Sequence, residues 1–518
     1  MRCDGGAHTG RMSPSTTPPH HRAALQLARI FTAGALVAGI ALVATDDPAE
    51  AAGFAVTTTA DGGAGSLRDA IDQANANPGP DTITVPAGTY TITIAGATED
   101  DNATGDFDVV GELTINGAGA GTTIIDADGL DRAFDLHTGP VVLAGMTITN
   151  GDVGADAGGN IQVRWYVDLT LQDSIVSHGQ ALQGAGIVGA EGELTVIRSE
   201  VTDNVATSIF GNGSLGSAIS KSGDGKSNLI ITDSLIADNN AVGGTAAVAI
   251  SGNASITNTT ITGNSAYTRT VLVEGHGAYS MSVSLVHVTI AGNTETGTAA
   301  GVGLDVNVIA PASMAVTLEG SLLQDNLAQG MPANCAVANL GTIVSAGNNL
   351  ADDASCFLTQ PSDNAADTGT TLAALADNGG PTRTLALVAG SSAIDAAGNC
   401  GAATPTDQRG VARPSGAACD AGAYEMEAIV EEPTTSSSST TSTPIVDTST
   451  TETPTTQAPT TTNDLDSGGG TTTTLPFIAP TIPRGLPATG GPTSGLWLAL
   501  LVTCLGGLLL LAARRLAR

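Results

Sequence analysis

The chain has 518 residues and a formal net charge of −32, from 50 Asp or Glu against 18 Lys or Arg. A hydrophobic content of 41% supports a sizeable core and excludes a wholly disordered chain. Only 3% of residues are aromatic, so that core is built from many small Ala, Val, Ile and Leu contacts. The acidic balance excludes nucleic acid as a partner, because phosphate binding needs basic patches.

Residues 1–51 read as a secretory signal. Arg22 and Arg29 precede an apolar run from Ile30 to Ala44, and Ala49-Glu50-Ala51 supplies the small-x-small cleavage site. The run is shorter than the ~20 residues a membrane span needs. Next, Ser66 to Ala74 predicts a short amphipathic helix, with Ser66 and Asp69 at capping-box spacing and Leu67, Ala70, Ile71 and Ala74 on one face. This helix is expected to cover the first coil of the fold that follows, since an open sheet end must be protected.

One phrase then recurs: VVLAGMTITNG at 141–151, LTLQDSIVSHG at 169–179, LTVIRSEVTDN at 194–204, LIITDSLIADN at 229–239, ASITNTTITGN at 254–264, VSLVHVTIAGN at 283–293 and VTLEGSLLQDN at 316–326. The aligned apolar position is Ile148, Val176, Val201, Ile236, Ile261, Ile290 and Leu323, at steps of 28, 25, 35, 25, 29 and 33 residues. Each phrase alternates apolar and polar residues with a strand period of two and ends in Gly, Asn or Asp. No helical pattern separates the phrases, which excludes a βαβ fold. The expectation is all-β: a right-handed parallel β-helix of about ten coils stacked at ~4.8 Å. Asn204, Asn239, Asn264, Asn293 and Asn326 share one phase, which predicts an asparagine ladder at a left-handed turn, with a ligand-binding row as the alternative.

Four cysteines remain in the exported chain: Cys335, Cys356, Cys400 and Cys419. An even count in an oxidising compartment predicts two disulfides. Three connectivities are allowed, and the sequential one is preferred. No CxxC and no nearby His suggests a metal site among them. Residues 433–474 hold 25 Ser or Thr in 42 positions, too polar to fold, and read as an extended stalk. At polyproline-like rise the 52 residues to Arg484 reach ~160 Å. The chain closes on Leu486-Pro487-Ala488-Thr489-Gly490, an apolar run from Leu496 to Ala513 long enough for a transmembrane helix, and Arg514, Arg515 and Arg518.

These last three parts, in order, resemble the LPxTG sorting signal of Gram-positive surface proteins. The resemblance implies that a sortase thiol attacks the Thr489 carbonyl, releases Gly490 onward and joins Thr489 to peptidoglycan. Two further resemblances concern the body. Thr57–Ala74, with Gly65-Ser66-Leu67-Arg68-Asp69-Ala70 and then Asp81-Thr82-Ile83, is similar to the CSLREA-type N-terminal region of bacterial surface β-helix proteins, without the Cys and with Asp69 for Glu. Asn378-Gly379-Gly380-Pro381-Thr382, Gly390–Asp395, Asp407-Gln408-Arg409-Gly410 and Asp420–Glu425 resemble the choice-of-anchor Q domain. Both imply export and a β-helix; neither implies a reaction.

The search for chemistry returns little. Gly275-His276-Gly277 echoes polygalacturonase-type glycoside hydrolases, but the paired carboxylates such an enzyme needs are missing from neighbouring coils. A pectate-lyase-like site needs clustered Asp for Ca²⁺ and a basic residue, whereas Arg164, Arg198, Lys221, Lys226 and Arg269 are scattered. Trp165-Tyr166 reads as a loop packed on the rod, with a ligand contact as the alternative, and Asp126–Asp131 as a turn lacking the distal ligands of a Ca²⁺ loop, with weak Ca²⁺ binding as the alternative. No catalytic residue, metal or cofactor is assigned. The expected organisation is a signal peptide at 1–51, a capped β-helix at 52–334, a choice-of-anchor Q region at 335–428, a stalk at 429–485 and a sorting signal at 486–518. The expected role is a secreted, cell-wall-anchored surface protein for adhesion, meeting a glycan or protein on another surface. A wall-displayed polysaccharide lyase or hydrolase and a passive spacer are the alternatives; an Asp cluster beside an Arg or Lys on one face would favour the enzyme.

Overall fold

A computed structural model describes residues 50–427, apart from 98, 208–215, 224–226, 243–245, 276–279, 298–302, 399 and 401–403. The expected signal peptide apart from Glu50 and Ala51, the expected stalk at 429–485, the expected sorting motif Leu486–Gly490 with its apolar run, and His276 lie outside the described residues. Within them the chain is an all-β parallel β-helix of the right-handed type, about nine turns long.

One coil shows the plan. Asp168–Gln172 lies in an eleven-stranded sheet, Ile175–Ser177 in a ten-stranded sheet, the two-residue strand Gln180–Ala181 in a seven-stranded sheet, and Ile187–Ala190 in a nine-stranded sheet. Leu194–Ile197 then re-enters the first sheet one layer on, pairing parallel with Asp168–Gln172. Strands this short suffice because each is hydrogen-bonded on both sides by its copies. The repeated phrase therefore spans two sheets with a bend between them. Its bend residues Asp173, Arg198, Asp233, Asn258 and His287 all have φ between 45° and 53°.

The core is a set of vertical stacks. The aligned apolar position forms a continuous register in the ten-stranded sheet, Ile148 to Val176, Val201, Ile236, Ile261, Ile290 and Leu323, extended by Tyr90 and Ile125 before it and Ala351 after it. A second stack runs through Ile83, Ile115, Leu143, Leu171, Val196, Ile231, Ile256, Leu285 and Leu318, all buried. Burying one Ile or Leu contributes about 1.5–3 kcal/mol, and here the same contribution recurs at every layer.

At the N-terminal end the helix Leu67–Ala76 buries Leu67, Ala70, Ile71 and Ala74 in this core. Ser66 caps it by accepting from the Asp69 amide at 3.1 Å, and Asp69 accepts from the Gly65 amide at 2.7 Å. At the other end the rod runs past the expected boundary at 334. Cys335–Asn339, Gly341–Gly347 and Leu350–Ala351 each pair with the preceding coil; Cys335, Leu350 and Ala351 are buried there, and Ser345 takes the place that Leu318 holds one layer earlier. The chain then folds back over the outer face of the ten-stranded sheet as a strap. Arg383 reaches Glu200 at 2.7 Å, Gln408 bonds Thr260 at 2.6 Å, and the Ala423 amide donates to Thr289 at 2.9 Å. Disulfides join Cys335 to Cys356 (Cα–Cα 4.8 Å) and Cys400 to Cys419 (Cα–Cα 5.5 Å).

Candidate functional site

Two of the rod's polar stacks are candidates for a site, a long inner one and a short one on the outer side of the nine-stranded sheet. The inner one is the asparagine row. Asn204 Nδ2 donates to Asn239 Oδ1, Asn239 to Asn264, and Asn264 to Asn293, each at 3.0 Å, and Asn293 to Asn326 at 2.8 Å. Asn326 passes the bond to Asn334 at 2.8 Å, and Asn160 feeds it at 3.1 Å. The row is buried and offers nothing to a ligand. The left-handed residue at this turn is the one before the Asn (Asp203, Asp238, Gly263, Gly292 or Asp325), not the Asn itself. The Asn is selected for its inward amide, which supplies a donor and an acceptor at once.

The outer stack sits on the nine-stranded sheet near the N-terminal end. Phe107–Val110 pairs with Phe134–Thr138, and Ile161–Val163 continues the ladder, so Asp108 lies over Asp135, and Arg164 follows the strand beside His137. Phe107 and Phe134 face the core with ring centroids 5.6 Å apart, which turns each following Asp outward. The N-terminal helix helps hold this edge. Arg68, itself buried, pairs with Asp61 at 2.8 Å and donates to the carbonyls of Gly105 and Asp106, and its guanidinium lies 4.7 Å over Phe107. Asn102 donates its backbone amide to Asp108 at 2.8 Å and its side chain to Asp72 at 2.8 Å.

On this scaffold the charges interlock. Arg164 grips Asp135 through two bonds, of 2.8 and 2.6 Å, and reaches Asp100 at 2.9 Å. His137 Nε2 lies 2.8 Å from Asp108, 3.8 Å from Asp135 and 4.0 Å from Asp100. Arg132 sits 3.2 Å from both Asp106 and Asp135 and 3.4 Å from Asp156. Acids outnumber bases, and the carboxyls respond. Burial, with Asp131 and Asp108 behind it, pushes Asp106 up to about 8. Burial also raises Asp108 and Asp131, against the pull of His137 and Arg132 respectively. The bond to Asp135 raises Arg164 and keeps it charged. Oxygen atoms of Asp100, Asp108 and Asp135 and a ring nitrogen of His137 all lie within 4.8 Å of one another, a donor set able to hold a hard divalent cation in competition with Arg164. Beside the cluster opens a groove of about 550 Å³ walled by Asp100, Asp131, Asp152, Asp156, Gln162 and Arg164.

The structure thus brings Arg164 into a carboxylate cluster and leaves the other candidates apart. Arg198 pairs with Asp173 and Arg269 with Asp305. Asp126 closes a turn, accepting from the Asp128 amide and from Asn150. Trp165 and Tyr166 are 67% and 75% exposed and do not pack on the rod as expected. Their turn turns them outward, because Tyr166 takes φ 65°. Asp108, Asp135 and His137 escaped sequence reasoning, although Phe-Asp at 107–108 and again at 134–135 marks two successive layers.

No family model matches the chain, and no curated protein matches it. Among solved structures the chain is similar to the crystal structure of pectate lyase Pel9A, at 16% identity over 73% of this chain and 96% of that one, with a TM-score of 0.34. At that distance the parallel β-helix assignment stands on the strand register of this chain itself.

Proposed function

We propose that the protein is a cell-wall-anchored surface protein whose β-helix binds a ligand through the charged groove without transforming it. Residues 1–51 are its export signal, 429–485 its stalk, and Leu486–Gly490 the motif through which sortase joins Thr489 to peptidoglycan. The helix Leu67–Ala76 is its N-terminal end cap, related to CSLREA-type regions, and residues 335–428, which include the strap, are its choice-of-anchor Q region. Supporting the last point, the residues of that resemblance tie the strap together. Arg413 pairs with Glu425 at 2.9 Å, Arg409 lies 3.7 Å over the Tyr424 ring, and Asp407 accepts from the amides of Arg409, Val411 and Glu425. A Cβ on Gly380 would come within 2.6 Å of Arg409.

One observation carries the binding reading: in the cluster, the charged groups that could act as acid or base are held by one another. Arg164 is kept protonated by Asp135 and cannot take a proton from a sugar ring; Asp106, the carboxyl best suited to donate one, is 2% exposed. A lyase or hydrolase is the second reading, favoured by the same carboxylates standing beside Arg164 on one face. Incubating the full chain with a glycan panel separates the two. Retention with unchanged glycan length is expected. Reproducible shortening overturns binding without turnover in favour of the enzyme, and no retention of any glycan, protein or cell surface leaves the passive spacer.

A further inference from the structure

We propose that Trp165 and Tyr166, with the acidic groove beside them, form a binding site for a cationic polysaccharide, a glycan chain carrying free amino groups. This deepens the groove reading above and rests on it.

Three observations converge. First, the two rings stand in solvent, 6.4 Å apart at an interplanar angle of 58°, immediately after Arg164, which walls the groove. Large exposed aromatics on a rigid turn are recognition groups: they offer area at small entropic cost, with an apolar face and a polar tip. The turn is tied to the next layer by Tyr166 N–H donating to the Ala190 carbonyl at 3.3 Å, and closed by Val167 N–H donating to the Arg164 carbonyl at 3.3 Å. A bulky residue at φ 65° is rare, and its effect here is to hold the pair away from the core. Second, charge selects the ligand. The groove carries Glu99, Asp100, Asp152 and Asp156 against Arg132 and Arg164, and both arginines are already paired with aspartates. Asp100 and Asp156 keep 63% and 69% of their side chains in water. Third, the far side of the aromatic turn is acidic too: Asp168 and Glu193 are exposed there, joined by a 2.7 Å bond from the Glu193 amide. Aromatic faces bordered on both sides by carboxylates favour cations, through the ring quadrupole and through the focused field. A uronate chain meets the opposite field and is repelled.

The chain has two tryptophans, Trp165 and Trp497, so the difference in fluorescence between wild type and Trp165→Phe isolates Trp165. The full chain is titrated with fully deacetylated chitosan hexamer, its N-acetylated counterpart and hexagalacturonate, with calorimetry in parallel. The deacetylated hexamer is expected to perturb the Trp165 signal and bind about tenfold more tightly than the acetylated one. Trp165→Ala is expected to weaken it about tenfold, and Asp100→Asn with Asp156→Asn to remove the preference for free amines. Binding by the acetylated hexamer or the uronate as tight as by the amine, or binding unchanged in Trp165→Ala, overturns the proposal while leaving a ligand-binding groove. No response to any of the three, with nothing retained from the wider panel, overturns both.

Discussion

The asparagine row and the charged cluster are two polar stacks in one rod, and they obey opposite rules. In the row every layer repeats the same residue, and each amide bonds the one before and the one after. In the cluster no single group carries on from layer to layer: Asp108 stacks on Asp135 and Asp135 on Gln162, with His137 and Arg164 on the flank, and the charges do not cancel. Repetition of one satisfied group stabilises a solenoid at every layer. A local break in that repetition, with carboxyls forced upward in pKa, costs stability and marks where selection serves something other than the fold.

Four substitutions probe this contrast. The largest loss is expected from Asn239→Ala, which strips the acceptor from the Asn204 amide and side chain and the donor from the Val201 and Ala237 carbonyls. About 3 kcal/mol of stability should go, read by thermal denaturation; a loss near zero would break the claim that the row is structural. Asp135→Asn should cost about 2 kcal/mol, because Arg132 and Arg164 lose the same partner. Asp106→Asn should act with the opposite sign. Folded Asp106 keeps its proton to about 8, whereas the unfolded group releases it near 3.8. The folded chain therefore binds more protons across that window, and its contribution to stability, whole below the window, is lost as pH rises through it. The variant should gain on the order of 1 kcal/mol at pH 8 and nothing at pH 4; a loss at pH 8 would show that the ionised carboxylate is what the cluster needs. The smallest effect, about 0.5 kcal/mol, is expected from Asp173→Asn, since the Arg198–Asp173 pair is open to water and salt.

The rod was legible in the sequence because its signal is periodic: the position that reads Ile148, Val176, Val201 and on to Leu323 is the same core slot at every layer. The cluster was not, because Asp100, Asp106, Asp108, Arg132, Asp135 and His137 all precede the first copy of the repeated phrase at 141–151, and only Asp156 and Arg164 lie between copies. The serine stack shows a middle case. Ser174, Ser199 and Ser234 fill one slot of the phrase, and each accepts from the backbone of the layer before, Met146, Ser174 and Ser199 in turn. That slot is visible in the alignment, yet a lone hydroxyl carries no direction until the bend is known. The strap was not legible, since nothing in the sequence pattern joins partners as far apart as Arg383 and Glu200, 183 residues from one another.

The strap has a mechanical consequence. Its last described residues do not leave from the tip of the rod: Ala423 is fixed to Thr289 and Gly422 to Gly320, two layers and one layer inside the final coil. From there the same segment is tied to Gln408 and Thr260, Thr382 and the Asp233 carbonyl, and Arg383 and Glu200. A pull applied at Glu427 therefore enters through the flank and is shared by anchors spread over several layers. It shears them together instead of peeling the terminal coil open one bond at a time.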